Sequence, residues 1–396
     1  MSEKILVTGG AGFIGSHLVD ALLEKGHQVR VLDNLEPQVH GGLRERGEKP
    51  AYLNPDAELI LGDVRDYQAV SGALRGMDVV FHEAALVGVG QSMYEIARYT
   101  DTNANGAAVL LQAIADAKQR PRKMVVASSM SIYGEGAYRC TQHGLVYPKL
   151  RPVEQLRRRD WEMRCPVEGC GQAVAASATG EDKPLYPTSI YAVNKRDHEE
   201  MFLAVGRAYG VPAVALRYFN VYGRRQALSN PYTGVAAIFC GRLLNGKPPV
   251  IFEDGRQSRD FTHVSDIVQA NLLAMDDPAA DYQALNVGTG RALSVLEVAE
   301  ALTLALSGQW EKERQAAPSR PTGKGSDLVP EITQQFRAGD IRHCFGDIRR
   351  LERLGYRPRV RFEEGVAELI EWVASQSAAD TFEQARSELD GRGLTV

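Results

Sequence analysis

At 396 residues, 44% of them hydrophobic, the chain can bury the core of one large two-lobed enzyme or two modest domains. A formal charge of -4 leaves no basic surface for nucleic acid, and no apolar run is long enough to span a bilayer. Five cysteines, three of them close together, suit a reducing cytoplasm and a metal site better than a disulfide framework. The chain enters a strand at once, with no signal peptide, so a cytoplasmic location is expected.

The first element is the β-branched run Lys4–Thr8, followed by Gly9, Gly10, Gly12 and Gly15 and then by Leu18, Leu22 and Leu23 at helical spacing. Strand, glycine turn and helix come in the order a dinucleotide site requires. Gly9 permits the tight turn, Gly12 lets a pyrophosphate approach the backbone, and Gly15 lets helix and strand pack closely. Phe13 and Ile14 lie between the last two glycines, where the helix offers free N–H groups and a positive dipole end to phosphates. The next strand, QVRVLD, ends at Asp33 and Asn34. A carboxylate at Asp33 suits a ribose 2′-hydroxyl and repels a 2′-phosphate, so NAD is expected rather than NADP.

Further strands are expected in ELILGD, VVFHEAA, KMVVASS and VAVALRYFN, alternating with helices up to about Gly223. This rhythm predicts an α/β fold, a Rossmann-like doubly wound parallel sheet. Asp63 and Val64, and Ala84 and Ala85, fall at the sheet's carboxyl edge, where ligands bind in such folds. Asp63 is placed to reach an adenine, and the two alanines leave room for cofactor.

Two segments break the rhythm: a polar stretch between Gly134 and Tyr191, and a loop-like one from Ser307 to Asp340 centred on PSRPTGKG. The expected organisation is a dinucleotide-binding domain over residues 1–223, with 262–290 returning to it and an insertion at 135–186. Residues 224–261 and 291–373 form a smaller C-terminal substrate lobe, and 374–396 a weakly held polar tail.

In PTSIYAVNKRDHEE, Thr188 or Ser189 can cap a helix that ends at Gly210, with Tyr191 and Lys195 on one face. A phenol is a poor base near neutrality, but a neighbouring ammonium and a nicotinamide cation are expected to stabilise its phenolate and lower its pKa. Ser129, ending the strand KMVVASS, can send its hydroxyl toward the same region.

The motifs TGGAGFIG, LDN, GDV, HEAA, Asn103 in TNANG, SSMSIYG, YAVNK, RYFNVYG, SRDFTHV and LNVGTG, in this order, resemble the extended short-chain dehydrogenase/reductase family. Within it the chain is similar to NAD-dependent nucleotide-sugar epimerases and dehydratases. Dehydratases of the family carry an Asp-Glu pair where this chain has Met130 and Ser131. Decarboxylating relatives carry Glu at the position of Ser131 and fucose-synthase-like ones Cys, which leaves a minimal Ser129–Tyr191–Lys195 set like that of UDP-glucose 4-epimerases. The resemblance implies reversible oxidation at C4 of a nucleotide-diphosphate sugar. Tyr191 exchanges the 4-hydroxyl proton, Ser129 and Ser131 face the sugar, Lys195 holds the nicotinamide ribose, and Asn103 joins the cofactor contacts. It also makes Asn220, Arg259 and Arg337 contacts to the substrate diphosphate, and a homodimer through helices near 103–118 and 189–209 the expected assembly. The same triad would serve a net 4-keto-sugar-nucleotide reductase. A non-catalytic NAD-sensing or scaffold protein is the reading from another class.

Cys140-x2-His143 and Cys165-x4-Cys170 interrupt the fold between the serine strand and the tyrosine helix. Two such pairs can build one tetrahedral structural zinc site in a zinc-ribbon-like insert with few large apolar residues. The C-x4-C spacing is looser than the usual ribbon, and unligated thiols are the alternative. The insert and RAGDIRHCF resemble a bacterial branch of dTDP-L-rhamnose 4-epimerases.

Overall fold

A computed structural model describes residues 2–316, 328–337 and 339–395, with side chains omitted from 309 to 316. Seven strands, all parallel, form the central sheet: β1 (Lys4–Thr8), β2 (Gln28–Asp33), β3 (Glu58–Leu61), β4 (Val79–His82), β5 (Lys123–Ser129), β6 (Ala213–Tyr218) and β7 (Ala284–Val287). Their spatial order is β3-β2-β1-β4-β5-β6-β7, a Rossmann order extended by one strand.

Side-chain alternation decides how the sheet is covered. Ile5, Val7, Val31, Phe81, Val125 and Leu216 point to one face, which the helices Phe13–Glu24 and Val264–Asp276 cover through Leu18, Leu22, Ile267 and Ala274. Leu6, Leu32, Val80, Met124 and Ala215 point to the other, against Val70, Leu110, Ile114 and Phe202 of Tyr67–Leu74, Gly106–Asp116 and Ile190–Tyr209. Both faces are buried, which explains the near-continuous apolar strands.

A second core lies beyond β6, where the helices Val235–Leu244, Val295–Ala316 and Phe362–Ala374 meet through Phe239, Leu302 and Leu369. The insertion folds as a small antiparallel sheet of Ala137–Cys140, Gly144–Val146 and Ala175–Ser177. No helix among the described residues is long and apolar enough to cross a membrane.

Two expectations differ from what is found. Ser307–Ala316 continues a helix, because Leu302 and Leu306 anchor its preceding turns in the second core; the PSRPTGKG stretch lies outside the described residues. The supposed tail contains the helix Phe382–Asp390, which buries Ala385 and Leu389 and whose Glu388 accepts hydrogen bonds from Tyr94 (2.7 Å) and Tyr232 (2.8 Å).

Candidate active site

The carboxyl ends of β1, β2, β4, β5 and β6 open into a cavity of about 600 Å³ that continues into the second lobe. At its N-terminal end the glycines have different reasons. Gly9 has φ +71°, and a Cβ there would lie 2.6 Å from the Ala84 nitrogen; one on Gly15 would lie 2.2 Å from the Gly9 carbonyl oxygen. A Cβ on Gly12 would meet only the Gly9 oxygen, at 3.2 Å, so its other side is open. Asp33 is held there by the Ala11 and Leu35 N–H groups, 3.0 and 2.9 Å away, and burial raises its carboxyl above the usual range.

Phe13, Ile14, Asn34, Val64, Ala84 and Ala85 line the same cavity as Gly9, Gly12, Gly15 and Asp33. Asp63 and Asn103 do not. Asp63 is engaged by both Arg65 and Asn34, and the Arg65 hydrogen bond holds its carboxyl down at about 2. Asn103 is fully buried and clamps the backbone of Leu86, accepting from its N–H at 2.8 Å and donating to its carbonyl at 3.1 Å. Its side chain thus fixes the loop after β4 rather than facing the cofactor region.

Ser129 ends β5, and the Ser189 hydroxyl caps the helix Ile190–Tyr209 by accepting from the Ala192 N–H at 3.1 Å; Gly210 ends that helix in the left-handed region. Tyr191, Lys195 and Glu199 therefore occupy one face, four residues apart, against β5. The Lys195 Nζ donates to the Ala127 carbonyl at 2.8 Å, and the Ser131 hydroxyl donates to Ser129 at 2.9 Å. Burial pushes the Tyr191 phenol up to about 12 against a hydrogen bond from Ser129. Burial also lowers Lys195 to about 8, opposed by the charge of Glu83.

The HEAA motif places Glu83 at the sheet's carboxyl edge, but the sequence alone assigns it no role. It lines the cavity, accepts from the Tyr218 hydroxyl at 2.8 Å, and is raised by burial to about 7. Glu199 lies deeper, accepting from Ser128 (2.9 Å) and from both Arg217 Nε (2.9 Å) and Arg217 NH2 (2.5 Å). This buried pair ties the tyrosine helix to β5 and β6.

At the far end Asn220, Arg259, Arg337 and Phe252 line the cavity, as does Ser131. The Arg259 guanidinium donates to the carbonyls of Ser258, Ile341 and Arg342 and has no carboxylate partner among the described residues. Arg337 stands 4.8 Å from the centre of the Phe252 ring and donates to Asp340 at 2.9 Å. The Asn220 side-chain oxygen is buried without a partner among the described residues. Phe382, Ala385, Arg386 and Leu389 complete this wall, a contribution invisible in a segment read as a tail.

Away from the cavity, the insertion brings Cys140, His143, Cys165 and Cys170 together, with all four ligand atoms within 4.8 Å of one another.

Known proteins place this architecture. The NAD dependent epimerase/dehydratase family matches residues 5–154, and the GDP-mannose 4,6 dehydratase family matches 170–369. A dTDP-L-rhamnose 4-epimerase of Burkholderia thailandensis is 32% identical over 94% of this chain and 96% of its own length. The chain belongs to the NAD-dependent epimerase/dehydratase family. Among solved structures of similar enzymes, UDP-glucose 4-epimerase of Thermotoga maritima with UDP-glucose superimposes with TM-score 0.70 at 30% identity, covering 94% of this chain and 98% of that one. The Thermus thermophilus UDP-glucose 4-epimerase with NAD gives 0.67 at 30%, covering 94% and 99%. For this epimerase/dehydratase the parallel sheet, the glycine cradle and the tyrosine helix are thus a shared architecture.

Proposed function

We propose that this chain is an NAD-dependent 4-epimerase of a nucleotide-diphosphate sugar, with dTDP-L-rhamnose as the first substrate to test. One arrangement carries the reading: a single cavity joins the glycine cradle, the Ser129–Tyr191–Lys195 cluster and an Arg259 that has no carboxylate partner among the described residues, with no carboxylate at 130 or 131. Without an acid-base pair beside the serine, elimination of water lacks its groups, whereas exchange of one proton at the 4-oxygen needs only a tyrosine. The Burkholderia relative and the insert resemblance favour the dTDP sugar; the Thermotoga structure supports UDP-glucose as the second candidate.

The cradle suits NAD because Gly12 is open where a phosphate approaches and Asp33 is fixed for a ribose hydroxyl. Bound NAD would supply the hydride acceptor and a positive charge that favours the Tyr191 phenolate against the effect of its burial. Tyr191 takes the proton of the sugar 4-hydroxyl as C4 is oxidised, and returns it when the 4-keto sugar presents its other face. No proton is gained or lost over the cycle. Ser129 orients the 4-oxygen, Lys195 holds the cofactor ribose, and Asn220, Arg259 and Arg337 hold the diphosphate through charge-assisted hydrogen bonds. The proposal includes a structural Zn²⁺ at the cysteine-histidine cluster and a homodimer through helices near 103–118 and 189–209. The exposed Val193 on the second helix supports that assembly, and sedimentation at two concentrations tests it.

The deciding experiment incubates the purified protein with dTDP-L-rhamnose or UDP-glucose, without added cofactor, and follows C4 configuration by NMR. Conversion of the dTDP sugar alone supports the first assignment, and conversion of UDP-glucose moves it to the second. If neither changes while a 4-keto sugar nucleotide consumes added NADH, the epimerase reading is wrong.

A further inference from the structure

The four ligand atoms of the insertion have the spacing of a metal shell. Zn–S bonds of ~2.3 Å meeting at the tetrahedral angle place two sulfurs ~3.8 Å apart, and a Zn–N bond of ~2.0 Å places nitrogen ~3.5 Å from sulfur. Here Cys140 and Cys170 are 3.8 Å apart, and the His143 Nδ1 lies 3.6 Å from Cys140 and 3.5 Å from Cys165. His143 lies in the turn closing the hairpin at Gly144 and Cys170 between Gly169 and Gly171, all three glycines with positive φ. The apolar core beneath is Tyr138, Cys140, Val146, Met163, Cys165 and Val174, too small to hold such a fold alone.

What this module holds lies on its other side. The strand Ala137–Cys140 begins next to Glu135, whose carboxylate accepts from the Tyr138 hydroxyl at 2.7 Å and from the Arg342 N–H at 2.6 Å. Tyr138 in turn accepts from the His343 N–H at 3.2 Å, and the Gly136 N–H donates to the His343 carbonyl at 2.9 Å. Glu162, adjacent to the buried Met163, accepts from Arg342, whose fully buried guanidinium also reaches Glu253 and Asp254. The carbonyls of Ile341 and Arg342 are those that hold the Arg259 guanidinium in the cavity.

We propose that Cys140, His143, Cys165 and Cys170 bind one Zn²⁺, and that this metal-stapled module holds the 341–343 segment on which Arg259 is mounted. The metal then governs diphosphate binding while leaving the dinucleotide cradle untouched. The effect on affinity rests on the proposed nucleotide-sugar reading; the metal site and the strut do not.

The test uses the full chain. Metal content is measured by mass spectrometry, and Co²⁺ substitution is checked for the thiolate charge-transfer band of a tetrahedral site. Zn²⁺ is then removed by chelation and restored, and hydrogen exchange is followed at 341–344 and at Ile5–Thr8, with dTDP and NAD titrated into each form. We expect about one Zn²⁺ per chain. Its removal speeds exchange at 341–344 about tenfold, leaves the strand unchanged and weakens dTDP about tenfold with NAD affinity retained, and Zn²⁺ re-addition restores all of it. Glu135→Ala cuts the link while sparing the ligands, and should weaken dTDP with Zn²⁺ still bound. Protein that neither contains nor takes up metal overturns the site. Metal loss without faster exchange at 341–344 overturns the strut. If exchange responds as expected but neither form binds dTDP or UDP, the strut stands and the substrate reading falls.

Discussion

Glu199→Ala should lower thermal stability by about 4–6 °C. Glu199 and Arg217 are both nearly inaccessible, with side-chain exposures of 5% and 6%. Removing the carboxylate strands a guanidinium that keeps only the Tyr133 hydroxyl at 2.7 Å and the Glu181 carbonyl at 3.0 Å, and leaves Ser128 without its acceptor. Breaking a buried pair on one side costs roughly 3–5 kcal/mol. At ~2.1 cal/mol/K per residue, a chain of 396 residues unfolds with an entropy of roughly 0.8 kcal/mol/K, which converts that cost into the stated shift. Calorimetry on the single variant and on Glu199→Leu/Arg217→Met separates charge from packing, because the double change removes the stranded charge and should recover most of the loss. A melting temperature within a degree of wild type for Glu199→Ala, or a double variant worse than both singles together, would refute the argument.

Tyr191→Phe should reduce turnover by ~10²–10⁴-fold with NAD affinity intact; unchanged turnover would remove the tyrosine from the chemistry. Gly15→Ala forces the backbone of the cradle apart, since its Cβ would sit 2.2 Å from the Gly9 oxygen, and should cost roughly 1–3 kcal/mol in urea unfolding together with NAD binding. Gly12→Ala should keep its stability and lose only the cofactor, so equal stability losses in both variants would count against the assigned roles. Glu83 is raised by burial from 4.5 to about 7, so between those values the folded state holds more protons than the unfolded one and its contribution weakens stability as pH rises. Lys195, lowered from 10.5 to about 8, does the reverse, favouring the folded state as pH rises from about 8 to 10.5. Glu83→Gln should flatten the decline between pH 5 and 7 and leave the alkaline rise; an unaltered slope over pH 5 to 7 would contradict this account.

The parts of the site legible in the sequence are those fixed by local rules. Gly9, Gly12 and Gly15 follow from turn geometry, Ser189 and Gly210 from helix capping, and the strands from apolar runs that only a sheet buried on both faces tolerates. Glu83 received no role from its position at the sheet edge because its importance comes from Tyr218 and Lys195, which arrive from distant strands and helices. The partner of Asn103 was hidden for a related reason: a buried amide takes whichever backbone lies opposite, here that of Leu86. The helix Phe382–Asp390 was missed because it buries just Ala385 and Leu389, a stripe too thin to register as periodic. Tyr191 illustrates a competition that sequence spacing cannot weigh, since the desolvation of the phenol outweighs the hydrogen bond that Ser129 offers.

The cavity draws residues from Gly9 at one end of the chain and from Leu389 and Thr395 at the other. During synthesis the cradle and the tyrosine helix emerge first, β7 follows, and the wall formed by Phe382–Asp390 comes about a hundred residues later still. A nascent chain can therefore hold its cradle and proton-transfer groups before the sugar end of the pocket exists. Thr395 lies in the same cavity lining, so bulk added to its side chain would be felt at the sugar end of the pocket and not at the cradle.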